Sequence, residues 1–280
     1  MERIQAAIQK AKEQRGEVPP PAAPQPGPAA GAARGAGFGA AAAPLAAAWA
    51  ELPAFTPDPA RMEASRVVTF ADADPAHAAF DMMRTRLLRT LRANGWTSVG
   101  VTSPTSGCGK TTTALNLAFG LAHQPDLRTV LVDLDLRRPS VARELGLPGD
   151  RSVGALLQGQ ASVAETFVRY GDGLAIAASA APMRNSGDLL ISAAAAQAAA
   201  GIRTAFAPDV LIYDLPPMLM SDDALAFLPH LDGVLLVAGA EKTRLDEVDR
   251  CEHELAQAGK LLGVVLNMCR YTGEDYGYYA

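Results

Sequence analysis

From about residue 75 onward, short apolar runs alternate with amphipathic stretches. The runs at 98–102, 129–136, 174–178, 210–213, 233–238 and 262–266 are rich in Val, Leu and Ile and too short for helices. Gly, Pro, Asp or Asn bound most of them, so each reads as a buried strand. Helical patterns lie between them. Asp74-Pro75 starts one in which Phe80, Met83, Leu87, Leu88 and Leu91 form an apolar stripe while Arg84, Arg86, Arg89 and Arg92 carry charge, and Asn94-Gly95 stops it. Further helices are expected over 113–118, from 185 through the alanine-rich 189–200, around 223–228 and over 245–258, with helical or irregular pieces at 152–157 and 163–170. Strands separated by helices predict an α/β fold, a three-layer sandwich whose mostly parallel central sheet is covered on both faces.

The N-terminal stretch has a different pattern. In residues 1–16, Ile4, Ala7, Ile8 and Ala11 recur at helical spacing with charge opposite, which predicts a short amphipathic helix. It either packs or frays as a terminal helix or docks on a partner or membrane surface. Between Pro19 and Ala50, 27 of 32 residues are Ala, Pro or Gly and Arg34 is the sole charge, so residues 17–61 are expected to be a disordered linker. A folded domain over 62–270 and a tail over 271–280 complete the division.

Composition narrows the function. A net charge of -5 over 280 residues excludes a nucleic-acid binder that works by basic excess. Cys108, Cys251 and Cys269 show no C-x-x-C spacing, which reads as reduced thiols in a cytoplasmic protein. No leader and no run of eighteen apolar residues is present, so the chain is expected to stay in the cytoplasm and not to span a membrane itself. His77, His123, His230 and His253 are scattered and receive no chemistry.

The candidate chemistry sits where strands end. Residues 103–112, Ser-Pro-Thr-Ser-Gly-Cys-Gly-Lys-Thr-Thr, join the 98–102 strand to a helix, as a phosphate-binding loop does. Ser106, Gly107, Cys108, Gly109, Lys110, Thr111 and Thr112 would contact the nucleotide. The glycines let backbone N–H groups approach phosphate, Lys110 reaches the outer phosphates as an exposed loop cation, and the Thr111 hydroxyl ligates Mg²⁺. Pro104 stands where the full pattern has its first glycine. The 129–136 strand ends in Asp133 and Asp135, which at a spacing of two would share one face, followed by Arg137 and Arg138. The strand from 210 ends in Asp214 before Pro216 and Pro217. In an open parallel sheet these ends meet at one crevice. Tyr271, Tyr276, Tyr278 and Tyr279 crowd a Gly- and acid-containing terminus where little surface can be buried.

A phosphate loop, then a run ending D-x-D-x-R, then a run ending D-x-P-P resembles the bacterial tyrosine kinases (BY-kinases) of exopolysaccharide and capsule export, over about residues 75 to 280. The resemblance implies an ATP- and Mg²⁺-dependent protein-tyrosine autokinase that regulates polysaccharide polymerisation and export. Lys110 would neutralise charge in transfer, and Thr111 and Asp214, with Asp135 through water, would position the metal. Asp133 is the candidate proton acceptor, a role Asp135 contests. Arg137 and Arg138 either fix the loop or contact an acceptor. Asn267 is a candidate adenine contact or a turn residue. The four tail tyrosines become phospho-acceptors. The implied partners are further copies of the chain and a transmembrane chain-length-determining protein, the polysaccharide co-polymerase, which would hold the kinase at the inner face of the cell membrane.

Of the family's E-x-x-R-x-x-R assembly signature, Asp81 and Arg84 fit the first two positions and Leu87 occupies the third. Two other readings stand beside this one. A partition or septum-positioning ATPase switch would carry an extra lysine where Thr105 lies. A catalytically weak regulator of the export complex would explain Ser106, Cys108 and Leu215 at positions where the kinases have other residues.

Overall fold

A computed structural model describes residues 49–70, 74 and 76–270; the expected helix at 1–16, most of the linker and the tail at 271–280 lie outside them. The strands are β1 (Ser98–Thr102), β2 (Thr129–Asp133), β3 (Phe167–Tyr170), β4 (Leu174–Ala177), β5 (Val210–Asp214), β6 (Gly233–Gly239) and β7 (Leu261–Asn267). The longer helices are α1 (His77–Asn94), α2 (Lys110–Ala122), α3 (Ala193–Phe206) and α4 (Leu245–Gln257). The strands form one sheet of order β3-β4-β2-β5-β1-β6-β7, with every pairing parallel except β3 with β4.

Side chains alternate across the sheet, and each face has its own core. Val130, Val132, Leu211 and Tyr213 pack with Ile202 and Phe206 of α3 and with Cys251 and Leu255 of α4. Val99, Val101, Leu131 and Ile212 pack on the opposite face with Leu87 and Leu91 of α1 and Leu115 and Phe119 of α2. The central strands are buried along their whole length, as the continuous apolar runs require. Asp133 pairs with Asp214 across β2 and β5, and Val101 of β1 pairs with Asp214, so the acid-bearing strand ends and the glycine loop share one rim. No described helix is long and apolar enough to cross a membrane.

The structure corrects several expectations. Residues 163–170 divide into a short helix, Val163–Thr166, and the antiparallel edge strand β3. Four residues are too few to display a period of two, so the strand was not legible as one. The helix expected from 185 breaks at Ser192, whose hydroxyl accepts from the Ala195 N–H and caps α3. Order also begins before residue 61. Trp49 and Leu52 are buried, and Trp49 meets Phe206 edge-on at 5.1 Å between ring centroids. The Phe55 N–H donates to the Arg169 carbonyl at 2.7 Å and the Arg169 N–H to that of Pro53 at 2.9 Å, which lays this segment along β3. A single large ring among alanines barely alters composition, yet it buries enough surface to anchor the segment.

Candidate active site

Gly107 and Gly109 adopt φ of 74° and 87°, a region that disfavours side chains, and Lys110 then opens α2. A Cβ on Gly107 would collide with the Lys242 ammonium, and one on Gly109 with the Asn267 amide. Both neighbours hold loop carbonyls: Lys242 Nζ donates to Gly107 O at 2.9 Å and Asn267 Nδ2 to Cys108 O at 3.1 Å. With its carbonyls tied back, the loop turns its N–H groups and the positive end of α2 toward one side. The Pro216-Pro217 turn braces it from below: Met218 N–H donates to Ser103 O at 2.9 Å, Leu219 N–H to Pro104 O at 3.1 Å, and the Thr102 hydroxyl to Pro216 O at 2.7 Å. Pro104 therefore serves as a fixed carbonyl acceptor in the place of a glycine.

Lys110 is not the exposed cation the sequence predicted. Its ammonium lies 2.9 Å from Asp135 and 3.5 Å from Asp214, with only 7% of the residue exposed. Burial works against its charge, but the Asp214 and Asp135 carboxylates outweigh that and hold its pKa above the ordinary value. Thr111 Oγ1 donates to Asp214 at 2.6 Å and lies 3.0 Å from the Ser140 hydroxyl.

Nor do Asp133 and Asp135 share a face. β2 stops at Asp133 and the chain turns, so Asp135 projects toward Lys110 while Asp133 is fully buried. Asp133 accepts from the N–H groups of Asp135 at 3.1 Å, Ser140 at 3.0 Å and Val141 at 3.0 Å, which fixes the loop after β2. Burial, together with the nearby Asp214 carboxylate, pushes its pKa up to about 8, while Lys110 and the Val141 and Ser140 N–H groups pull the other way. Arg137 borders the same cleft as the phosphate loop and is held by buried Asp223, to which it donates at 3.0 and 2.9 Å, and the Ser186 hydroxyl donates to the same carboxylate. Burial opposes the Asp223 charge, yet Arg137 and Ser186 hold its carboxyl below the usual range.

These residues frame a cleft of about 480 Å³. Ser106, Gly107, Gly109, Lys110, Thr111 and Thr112 line it together with Asp135, Arg137, Arg138, Ser140, Arg143, Glu144, Pro216 and Pro217. Cys108 is buried beneath the loop with its thiol 3.3 Å from the Thr243 hydroxyl, and Asp133 is likewise shut off from the cleft. The sequence reading did not find Ser140, Lys242, Thr243, Ser186 or Asp223. Lys242 and Thr243 had a signal, since they follow β6, the strand next to β1 on the same rim.

The residues suit a nucleotide and a hard cation. Loop N–H groups and Lys110 match phosphate, and the Thr111 hydroxyl with Asp214 and Asp135 offers the oxygen donors Mg²⁺ prefers. Among the described residues no group of three or more acid, histidine or cysteine side chains is arranged to hold a metal. A cation here would be shared with phosphate oxygens, the usual habit of Mg²⁺.

A phosphate loop on a mostly parallel sheet, with acids at neighbouring strand ends, defines a P-loop nucleotide-binding protein. A family model described as ParA, NUBPL iron-transfer P-loop NTPase, matches residues 96–278. The tyrosine-protein kinase YwqD of Bacillus subtilis (strain 168) is 31% identical over 185 residues, which cover 65% of this chain and 77% of that protein. The putative tyrosine-protein kinase EpsB of Ralstonia nicotianae is 28% identical over 207 residues, 73% of this chain but 27% of that longer protein. Among solved structures, the VpsO kinase domain superposes with a TM-score of 0.62 at 32% identity, covering 74% of this chain and 98% of that one. The chimerical protein CapA2B2 gives 0.67 at 26%, covering 79% and 93%. The chain belongs to the P-loop NTPases and, within them, to the bacterial tyrosine kinases.

Proposed function

We propose that the chain moves the γ-phosphoryl group of ATP to tyrosine hydroxyls, those of its own tail included, and through this controls polysaccharide polymerisation and export. The observation that carries the reading is Lys110 held between Asp135 and Asp214 at the head of the glycine loop. That ammonium waits where negative charge develops in phosphoryl transfer. Loop N–H groups orient the β- and γ-phosphates, and Thr111 and Asp214 present the oxygens for the metal. Mg²⁺, held there when bound, would offset the charge of the phosphates. The tyrosine oxygen bonds to the γ-phosphorus as the bond to the β–γ bridging oxygen breaks, and ADP leaves.

Asp135 is the better-placed acceptor for the tyrosine proton, because it borders the cleft while Asp133 is buried beneath three backbone N–H groups. Asp133 in this reading is a positioning residue. Cys108 and Leu215, which depart from the kinase pattern, are both fully buried, so neither departure alters what meets the nucleotide. A transmembrane chain-length-determining protein is the proposed membrane partner, and further copies of this chain the proposed assembly, with the kinase peripheral at the inner membrane face. Incubation of the purified chain with Mg²⁺-ATP, with and without that partner's cytoplasmic segment, should yield phosphotyrosine that Lys110→Met abolishes. Phosphotyrosine at the wild-type level in that variant refutes the assignment.

A further inference from the structure

Helix α1 carries Arg84, Arg86, Arg89 and Arg92 against the single acid Asp81, in a chain of net charge -5. Arg84 is engaged, 2.8 Å from Asp81 and donating to the Gly120 carbonyl at 3.1 Å. Arg86, Arg89 and Arg92 are exposed, and among the described residues no acid pairs with them. Their i, i+3, i+6 spacing sets them along one side of the helix over about 9 Å. Arg89 and Arg92 border a shallow cleft with Leu88 and Gln124, while Arg86 overlooks a second one shared with Met82 and with Leu262, Val264 and Val265 of β7. Unpaired guanidinium groups this close repel one another and are relieved by an anion with several charges.

The chain's own terminus supplies such an anion. Residues 271–280 follow β7 and carry Glu274 and Asp275 among four tyrosines. An extended chain covers about 3.3 Å per residue, so the nine residues beyond Arg270, as far as Tyr279, reach roughly 30 Å, beyond the ~27 Å length of α1.

We propose that the face formed by Arg86, Arg89 and Arg92 captures the phosphorylated tail, residues 271–280, of the same chain; this rests on the reading of the tail tyrosines as phospho-acceptors. Each phosphate adds about -1.5 to -2 charges and matches the guanidinium fork with paired hydrogen bonds. The unmodified tail offers only its carboxylates. The arginine face gives a phosphorylated tail a place away from the cleft, so that the site is free for another acceptor.

The test uses a labelled synthetic peptide of residues 268–280, phosphorylated at Tyr276, Tyr278 and Tyr279 or unmodified, and the phosphatase-treated full chain, read by fluorescence anisotropy. The phosphopeptide should bind at least about tenfold more tightly than the unmodified one and weaken as salt rises. An Arg86→Gln, Arg89→Gln, Arg92→Gln variant should lose that preference while keeping its melting temperature and its phosphorylation of an added tyrosine peptide. The corresponding Lys variant should bind between the two, since it keeps charge but not the fork. Chain phosphorylated on its own tail and monomeric by light scattering should no longer take up the peptide, the mark of capture within one chain. Equal affinity for the two peptides, or undiminished binding by the Gln variant, overturns the proposal. So does arginine-dependent binding to phosphatidylserine vesicles without binding to the phosphopeptide, which would make the face a membrane contact. Because the phosphates are synthetic, failure here leaves the kinase reading standing, and absence of phosphotyrosine after Mg²⁺-ATP treatment would count against that reading alone.

Discussion

Replacing Lys110 by Met removes one positive charge from a buried group that also contains Asp135, Asp214 and Asp133. Loss of one partner from a buried ion pair costs about 3–5 kcal/mol, and the low end applies because a carboxyl here can take a proton instead. About 3 kcal/mol at pH 8 corresponds to a melting temperature lowered by roughly 6–12 °C in a domain of this size. The pH dependence follows from the acids. Asp133, already pushed to about 8, and Asp214, also raised by burial, hold protons in the folded state that the unfolded chain releases above its ordinary carboxylate pKa. Such groups stabilise the fold at low pH, and the contribution is lost as pH rises through the folded pKa. Without the lysine those pKa values climb further, so the deficit against wild type should be smaller at pH 6 than at pH 8. Circular dichroism melts of both proteins at pH 6 and 8, in low salt without nucleotide, measure it. A deficit that is equal at the two pH values, or larger at pH 6, would refute the account of Lys110 as counter-ion to buried acids. Adding Asp214→Asn to the variant should restore part of the loss.

Asp135→Asn should bind Mg²⁺-ATP within about threefold of wild type while losing at least about 100-fold in tyrosine phosphorylation, whereas Asp133→Asn should lose binding too, because an amide N–H₂ faces backbone donors; equal nucleotide affinities in the two variants would show the roles wrongly divided. Trp49→Ala should cost about 3 kcal/mol in a urea titration, and a change under about 0.5 kcal/mol would return residues 49–61 to the linker. Asp232 accepts from the N–H groups of Thr97 at 2.9 Å and Ser98 at 2.8 Å and from the Ser98 hydroxyl at 2.8 Å; burial opposes its charge, but these donors hold its carboxyl below the ordinary value. Its contribution, about 1 kcal/mol after allowing for access of water, should be present above pH ~4 and lost as pH falls through the lower folded pKa, and Asp232→Asn should remove that acid limb from the pH–stability curve.

Much of the site could be read before the fold was known because its parts are local. The glycine loop is a continuous stretch between a strand and a helix, and Asp133 and Asp214 close apolar runs that could only be strands. Convergence then follows from parallel topology. What escaped depends on partners distant in sequence or on a turn too small to announce itself. Arg137 points at Asp223, eighty-six positions away, and nothing in D-x-D-x-R names that acid. Lys110 could not be seen as buried until Asp135 and Asp214 closed on it. Asp133 and Asp135 parted because β2 ends between them, a one-residue matter that spacing alone cannot register.

The sheet has two unlike rims. At β3 the backbone of Pro53 and Phe55 already occupies the outer side through its bonds to Arg169, and Pro53 itself has no N–H to offer a further strand. At β7 no described strand lies outside, and Val264 and Leu266 stand exposed along it. Among the described residues the two margins therefore differ: the backbone of residues 53–55 covers one, and no further strand lies against the other. A strand that paired with β7 would lie beside the strand whose last residue, Asn267, grips the phosphate loop.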